Sequence, residues 1–270
     1  MQKQEGRKAI LVASFGTTYQ ETCRATIEAC ENKIAESFPG YEVRRAFTSS
    51  IVRKILRERD NVIVDDTGEA LTKMKQDGFS EVIVQPLHII PGEEYHDKIL
   101  KPVGEFAGQF DRLAVGRPIL ARQEDYKAAV EALKRQLPDL REDQAVILMG
   151  HGSDHPANAC YAMLQLVLFD TVPNVYIANV EGYPGLDDVI PKLRAAGLKK
   201  VILMPFMLVA GDHAINDMAG EEEGSWKNIL VREGFEVCLH LHGLGENPAC
   251  REIYAEHVRD CIERKGEPGR

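Results

Sequence analysis

Short apolar runs alternate along the chain with longer amphipathic segments, the pattern of βα units built around a parallel sheet. The apolar runs predict strands at 9–14, 42–47, 81–88, 112–115, 145–149, 175–180, 200–208 and 236–240. Between the first two, Cys23, Ile27, Cys30 and Ile34 recur at spacings of four, three and four, which sets one apolar stripe along a helix. Residues 123–137 and 247–265 carry a similar stripe. Parallel strands require such crossover helices, so the expected fold class is α/β.

The two halves of this pattern resemble each other. KAILVASFGT (8–17) lies over QAVILMGHGS (144–153), which sets Phe15 opposite His151 and Gly16 opposite Gly152. EVIVQPLHIIPGEEY (81–95) lies over KVILMPFMLVAGDHA (200–214), matching Pro86 with Pro205, Gly92 with Gly211 and Glu94 with His213. The expectation is two similar lobes, 1–125 and 126–270, each a four-stranded parallel sheet flanked by helices, with an active-site cleft between them. In open α/β sheets ligands bind beyond the carboxyl ends of the strands, so strand-end residues are the first candidates for chemistry.

Composition narrows the classes. The chain has 270 residues, 44% of them hydrophobic and 28% charged, within the ordinary globular range. Forty-two acidic residues against 33 basic ones give a formal charge of -9, which argues against a nucleic-acid partner. The polar residues 1–8 and the short apolar run 9–13 make neither a signal segment nor a membrane span, so the expected setting is cytoplasmic, with no membrane partner. Six cysteines without a CxxC pair read as small buried apolar side chains in such a setting. No phosphate loop, nucleophile elbow or HExxH motif is present, and no GxGxxG is completed.

Three predicted strand ends carry metal-ligand chemistry. His151 stands between Gly150 and Gly152, His213 follows Gly211-Asp212, and Glu181 precedes Gly182. Two neutral imidazoles and one carboxylate suit Co, Fe, Ni or Zn better than a hard cation, and three ligands leave coordination positions open. Glu94, beside Glu93, comes from the matching strand end of the first lobe. His240 and His242 alternate in CLHLHG and would share one strand face, where partly buried structural roles are the expectation. His88 ends an apolar strand, and Asp154 and His155 follow the His151 turn as candidate orienting groups.

SFGTTY (14–19), RAFTS (45–49), LHIIPGEEY (87–95), MGHGSDH (149–155), VEGYP (180–184) and MLVAGDHAINDM (207–218) resemble the anaerobic cobalt chelatases of cobalamin biosynthesis. These are class II chelatases that act on sirohydrochlorin and are similar in fold to ferrochelatases. The likeness runs from about residue 8 to the final helix, and none of the central positions departs from the family pattern. It implies that His151 and His213 bind metal and abstract protons, that Glu181 is the third ligand, and that Glu94 is a cleft carboxylate. Co2+ is the implied metal, with Fe2+, Ni2+ or Zn2+ open to the same donor set. A homo-oligomer is compatible with the resemblance, and the sequence locates no surface for one.

The implied substrate carries eight carboxylates, which stands at odds with an acidic chain. Residues 41–60 nevertheless hold Arg44, Arg45, Arg53, Lys54, Arg57 and Arg59 against Glu42, Glu58 and Asp60. Arg45 and Arg53, with Ser14, Thr17 and Thr18 near the first helix start, are the candidates for binding substrate carboxylates. Two alternatives share this donor set: a sirohydrochlorin ferrochelatase feeding sirohaem, and a non-catalytic tetrapyrrole or metal carrier.

Overall fold

Residues 9–13 and 145–149 are apolar without interruption, leave no polar face for water, and are at most 1% exposed. Each run becomes an inner strand of a four-stranded parallel sheet. The computed structural model describes residues 6–264, so residues 1–5 of the expected polar terminus and the expected helix end at 265 lie outside it. The strands are β1 (Arg7–Ser14), β2 (Glu42–Phe47), β3 (Phe79–Pro86), β4 (Arg112–Val115), β5 (Gln144–Gly152), β6 (Val175–Glu181), β7 (Lys200–Pro205) and β8 (Glu236–Leu239). Their orders, β2-β1-β3-β4 and β6-β5-β7-β8, are the same permutation, as the internal likeness predicts.

The carboxyl ends of the strands are where the two sheets depart from regular pairing. β5 continues past the expected residue 149 to Gly152, which pairs with Glu181 at the end of β6. β7 stops at Pro205, short of the expected 208, and the carbonyls of Met207 and Leu208 instead accept N–H groups from Leu244 and Gly245. Gly16 and Gly152, aligned by the internal match, both take positive φ, +92° and +77°. A Cβ at Gly16 would lie 2.7 Å from the Phe47 ring, and one at Gly152 would fall on the Glu181 carbonyl oxygen. Glycine is required at both because the chain turns left-handed beside the end of a neighbouring strand.

The first helical segment buries its predicted stripe: Cys23 is 8% exposed, and Ile27, Cys30 and Ile34 are fully buried. It contains one π-helical stretch, Arg24–Glu28, where the Thr26 hydroxyl donates to the Thr22 carbonyl at 2.5 Å. Cys23, Cys30 and Cys250 are buried, and Cys160, Cys238 and Cys261 are half-buried. Among the described residues no helix is long and apolar enough to cross a membrane.

The chain divides into two compact units, one comprising Met1–Ile119 together with the segment from Arg251 onward, the other Leu120–Cys250. The final helix, Pro248–Ile262, was expected to lie wholly within a second lobe spanning 126–270, and instead it crosses into the first unit. Specific polar contacts explain this. The Tyr254 hydroxyl donates to the Leu87 carbonyl at 2.9 Å, and the Arg117 guanidinium pairs with Asp260 at 2.7 Å. Arg112 donates to the carbonyls of Cys261 and Ile262, satisfying the end of the helix.

Candidate metal centre

In the second unit, β5 delivers His151 and the segment after β7 delivers His213. The His151 Nδ1 lies 3.1 Å from the Gly152 carbonyl oxygen. A carbonyl only accepts, so Nδ1 carries the hydrogen and Nε2 is left for another partner. His213 opens a π-helical turn, His213–Met218, anchored by Ala214 and Met218, both fully buried. Its Nδ1 lies 2.5 Å from Asp217 Oδ2, which again assigns the hydrogen to Nδ1 and leaves Nε2 as the donor atom. The two rings stand 4.8 Å apart between centroids and nearly perpendicular, at 87°.

Glu181 ends β6 beside Gly152 in the ladder and is exposed to solvent. Among the described residues no three His, Cys, Asp or Glu side chains are gathered as a ready-made ion cage, so the structure brings His151 and His213 together without Glu181. His155 caps the short turn Pro156–Asn158, its Nδ1 accepting the Ala157 N–H at 3.1 Å, and so serves local structure.

The first unit shows a different kind of feature at the carboxyl edge of its sheet. Ser14 Oγ, Thr48 Oγ1, both ring nitrogens of His88 and Glu94 Oε2 are buried without a hydrogen-bond partner among the described residues. Ser14 is level with Phe47 on β2, and Ala13 with Pro86 on β3, so these polar groups follow three adjacent strand ends. An unpartnered buried polar atom costs about 1–3 kcal/mol, and a group of them at a sheet edge fits a polar ligand. Thr17 is buried with its hydroxyl accepting the Tyr19 N–H at 3.2 Å. Sequence reasoning passed over Thr48; its signal was its place in RAFTS, one residue beyond β2.

Burial alone pushes the His88 imidazole down to about 4 from 6.5. Above pH 6.5 the ring is neutral in both folded and unfolded chains, so its contribution to stability is then fully present. As pH falls from about 6.5 to about 4 the unfolded chain takes up a proton that the folded chain refuses, and up to about 3 kcal/mol is lost. His88→Gln is expected to flatten the fall of unfolding free energy over that window, measured by urea titration at a series of pH values; an unaltered slope would contradict it.

The basic segment is largely neutralised by its own neighbours. Arg45 makes a bidentate pair with Glu31 at 2.7 and 2.6 Å and lies 3.3 Å from Glu28, and these carboxylates push its pKa up. Arg53 bonds Asp66 at 3.0 Å and Glu69 at 2.7 Å. Arg44 pairs with Glu42 and Asp77, Arg59 with Asp60, and Lys54 with Glu58. Arg45→Ala leaves the mostly buried Glu31 without its guanidinium and is expected to cost about 1–3 kcal/mol of stability, read as a lowered denaturant midpoint at unchanged m-value.

Two α/β units of one topology, with two imidazoles brought together beyond the sheet of the second, define a two-unit α/β class with a histidine pair at its candidate site. The family model for cobalt chelatase (CbiK) matches residues 8–263. The sirohydrochlorin cobaltochelatase of Salmonella typhimurium is 43% identical over 256 residues, covering 95% of this chain and 97% of that one. The sirohydrochlorin cobaltochelatase CbiKC of Nitratidesulfovibrio vulgaris is 37% identical over 263 residues, 95% and 91% of the two chains. Among solved structures, SirB from Bacillus subtilis with Fe3+ has the same fold, with a TM-score of 0.64 at 17% identity, covering 97% of this chain and 98% of that one. The chain therefore belongs to the CbiK cobalt chelatase family.

Proposed function

We propose that this chain inserts Co2+ into sirohydrochlorin, the reaction named for its relatives, in anaerobic cobalamin biosynthesis. The observation that carries the reading is the His151–His213 pair, two rings 4.8 Å apart, each with Nδ1 engaged and Nε2 available. Insertion exchanges one divalent ion for two inner N–H protons. A pyrrole N–H is a poor acid in water, and a neutral imidazole is a base suited to taking its proton near pH 7. The same Nε2 atoms suit a borderline ion such as Co2+, with Fe2+, Ni2+ or Zn2+ open to the same donors. Holding ion and base together replaces a bimolecular encounter with an intramolecular transfer.

In this reading His151 and His213 bind the incoming ion and accept the protons. Glu181, exposed on the neighbouring strand end, swings in as the third ligand. Glu94 is the carboxylate of the first unit that acts on the macrocycle. The orphan hydroxyls of Ser14 and Thr48 donate to substrate carboxylates, with Thr17 shaping the turn beside them. Arg45 and Arg53 act on the substrate's negative charge from within their ion pairs. The reading includes a cytoplasmic setting, which suits six cysteines without a CxxC pair.

The test is an anaerobic absorbance assay with sirohydrochlorin and Co2+, Fe2+, Ni2+ or Zn2+ in separate cuvettes. Fastest insertion with Co2+ is expected. Faster insertion of Fe2+ at equal free ion would favour a ferrochelatase role, and binding of sirohydrochlorin without insertion of any ion would make the chain a carrier.

A further inference from the structure

The segment after β8 holds a second pair of imidazoles that the insertion chemistry does not use. We propose that His240 and His242, braced by Glu246, form a separate binding site for a divalent transition metal of the Co2+, Ni2+ or Zn2+ class. The His240 and His242 rings stand 4.7 Å apart between centroids at 58°, almost the spacing of the His151–His213 pair. His242 Nδ1 lies 2.7 Å from Glu246 Oε2, four residues on, as His213 Nδ1 meets Asp217 four residues on. This is the carboxylate–imidazole arrangement that fixes a tautomer and leaves Nε2 for a metal. Neither ring nitrogen of His240 has a protein hydrogen-bond partner among the described residues.

The backbone around the pair is held at several points. β8 ends at Leu239, so the two histidines lie on the loop beyond it and not on the single strand face expected from their alternation. His240 N–H donates to the Leu203 carbonyl at 2.9 Å, and the His242 carbonyl accepts from Gln136 at 3.1 Å. The other oxygen of Glu246 accepts the Gly243 N–H at 2.9 Å, fixing the carboxylate at both ends. A Cβ at Gly243 would meet the Leu208 carbonyl at 2.5 Å, so the loop lies flush against the segment that follows β7. Two imidazoles in a held loop pay little ordering entropy on binding an ion. The His242 side chain is 56% exposed, which suits an open, water-completed site better than a packing role.

The site is tested by calorimetric titration of the full chain with Co2+ alone, without tetrapyrrole. In a His151→Ala, His213→Ala background, one ion per chain is expected to bind, and adding His240→Gln and His242→Gln is expected to remove it. Absence of binding in the first protein, or binding that survives in the second, would overturn the proposal. Glu246→Gln keeps the size of the brace and removes its charge, and in the same background is expected to weaken Co2+ by about tenfold or more. Unchanged affinity in that variant would also overturn it. Because no tetrapyrrole is present, the result stands apart from whether the chain inserts metal.

Discussion

His151→Ala and His213→Ala each lower the rate of metal insertion by about a hundredfold to ten-thousandfold, while sirohydrochlorin still binds within a few-fold of its original affinity. The asymmetry follows from what each ring contributes. Both have Nδ1 engaged, His151 with the Gly152 carbonyl and His213 with Asp217, so Nε2 is the ring atom left for ion and proton. An alanine removes an ion ligand and a proton acceptor at once and leaves the orphan polar groups of the first unit as they were. The readout is insertion rate by absorbance alongside sirohydrochlorin affinity by fluorescence quenching, each at saturating Co2+. A double variant that still inserts metal at the original rate would end the mechanism, and one that loses sirohydrochlorin binding in parallel would move the histidines from chemistry to substrate docking.

Gly152→Ala has the largest effect expected on the fold of the second unit. Gly152 combines a φ of +77° with a neighbouring backbone, the Glu181 carbonyl, in the space a Cβ must occupy. The conformational term alone is about 1–2 kcal/mol for a side chain in this region, and the collision is with backbone that cannot rotate away. Either β5 and β6 separate at their last pair or the His151 turn shifts, so a loss of about 3 kcal/mol or more is expected. Gly197→Ala is the matched control: it has φ of +72° with nothing within 4 Å of an added Cβ, so only the conformational cost of about 1 kcal/mol remains. Equal denaturation midpoints for the two variants would show that the close approach at Gly152 carries no cost.

The strands were legible because their apolar runs are uninterrupted, and 9–13 and 145–149 have no other stable place than an inner strand. The duplication was legible through Gly16 and Gly152, whose shared positive φ shows that the match tracked backbone geometry as well as composition. His151 and His213 stood out by their flanking glycines, yet their spacing and their different Nδ1 partners depend on a π-helical turn that no residue pattern announces. The charge around the arginines was only half legible. A local excess of positive charge within 41–60 is visible in sequence, whereas Glu28, Glu31, Asp66, Glu69 and Asp77, which absorb much of it, lie outside that window. Orphaned hydroxyls such as Thr48 are likewise a property of what fails to surround a residue, and one dimension does not record it.

The path of the final helix also fixes an order of assembly on the ribosome. Leu120–Cys250 is one uninterrupted stretch and is complete once its last residue has emerged. The other unit begins earlier and finishes later, since the Tyr254 hydroxyl that caps the Leu87 carbonyl is made 167 residues after it. The half of the chain synthesised first must therefore wait, with the carbonyl end of β3 still uncovered, while the half synthesised second closes its core.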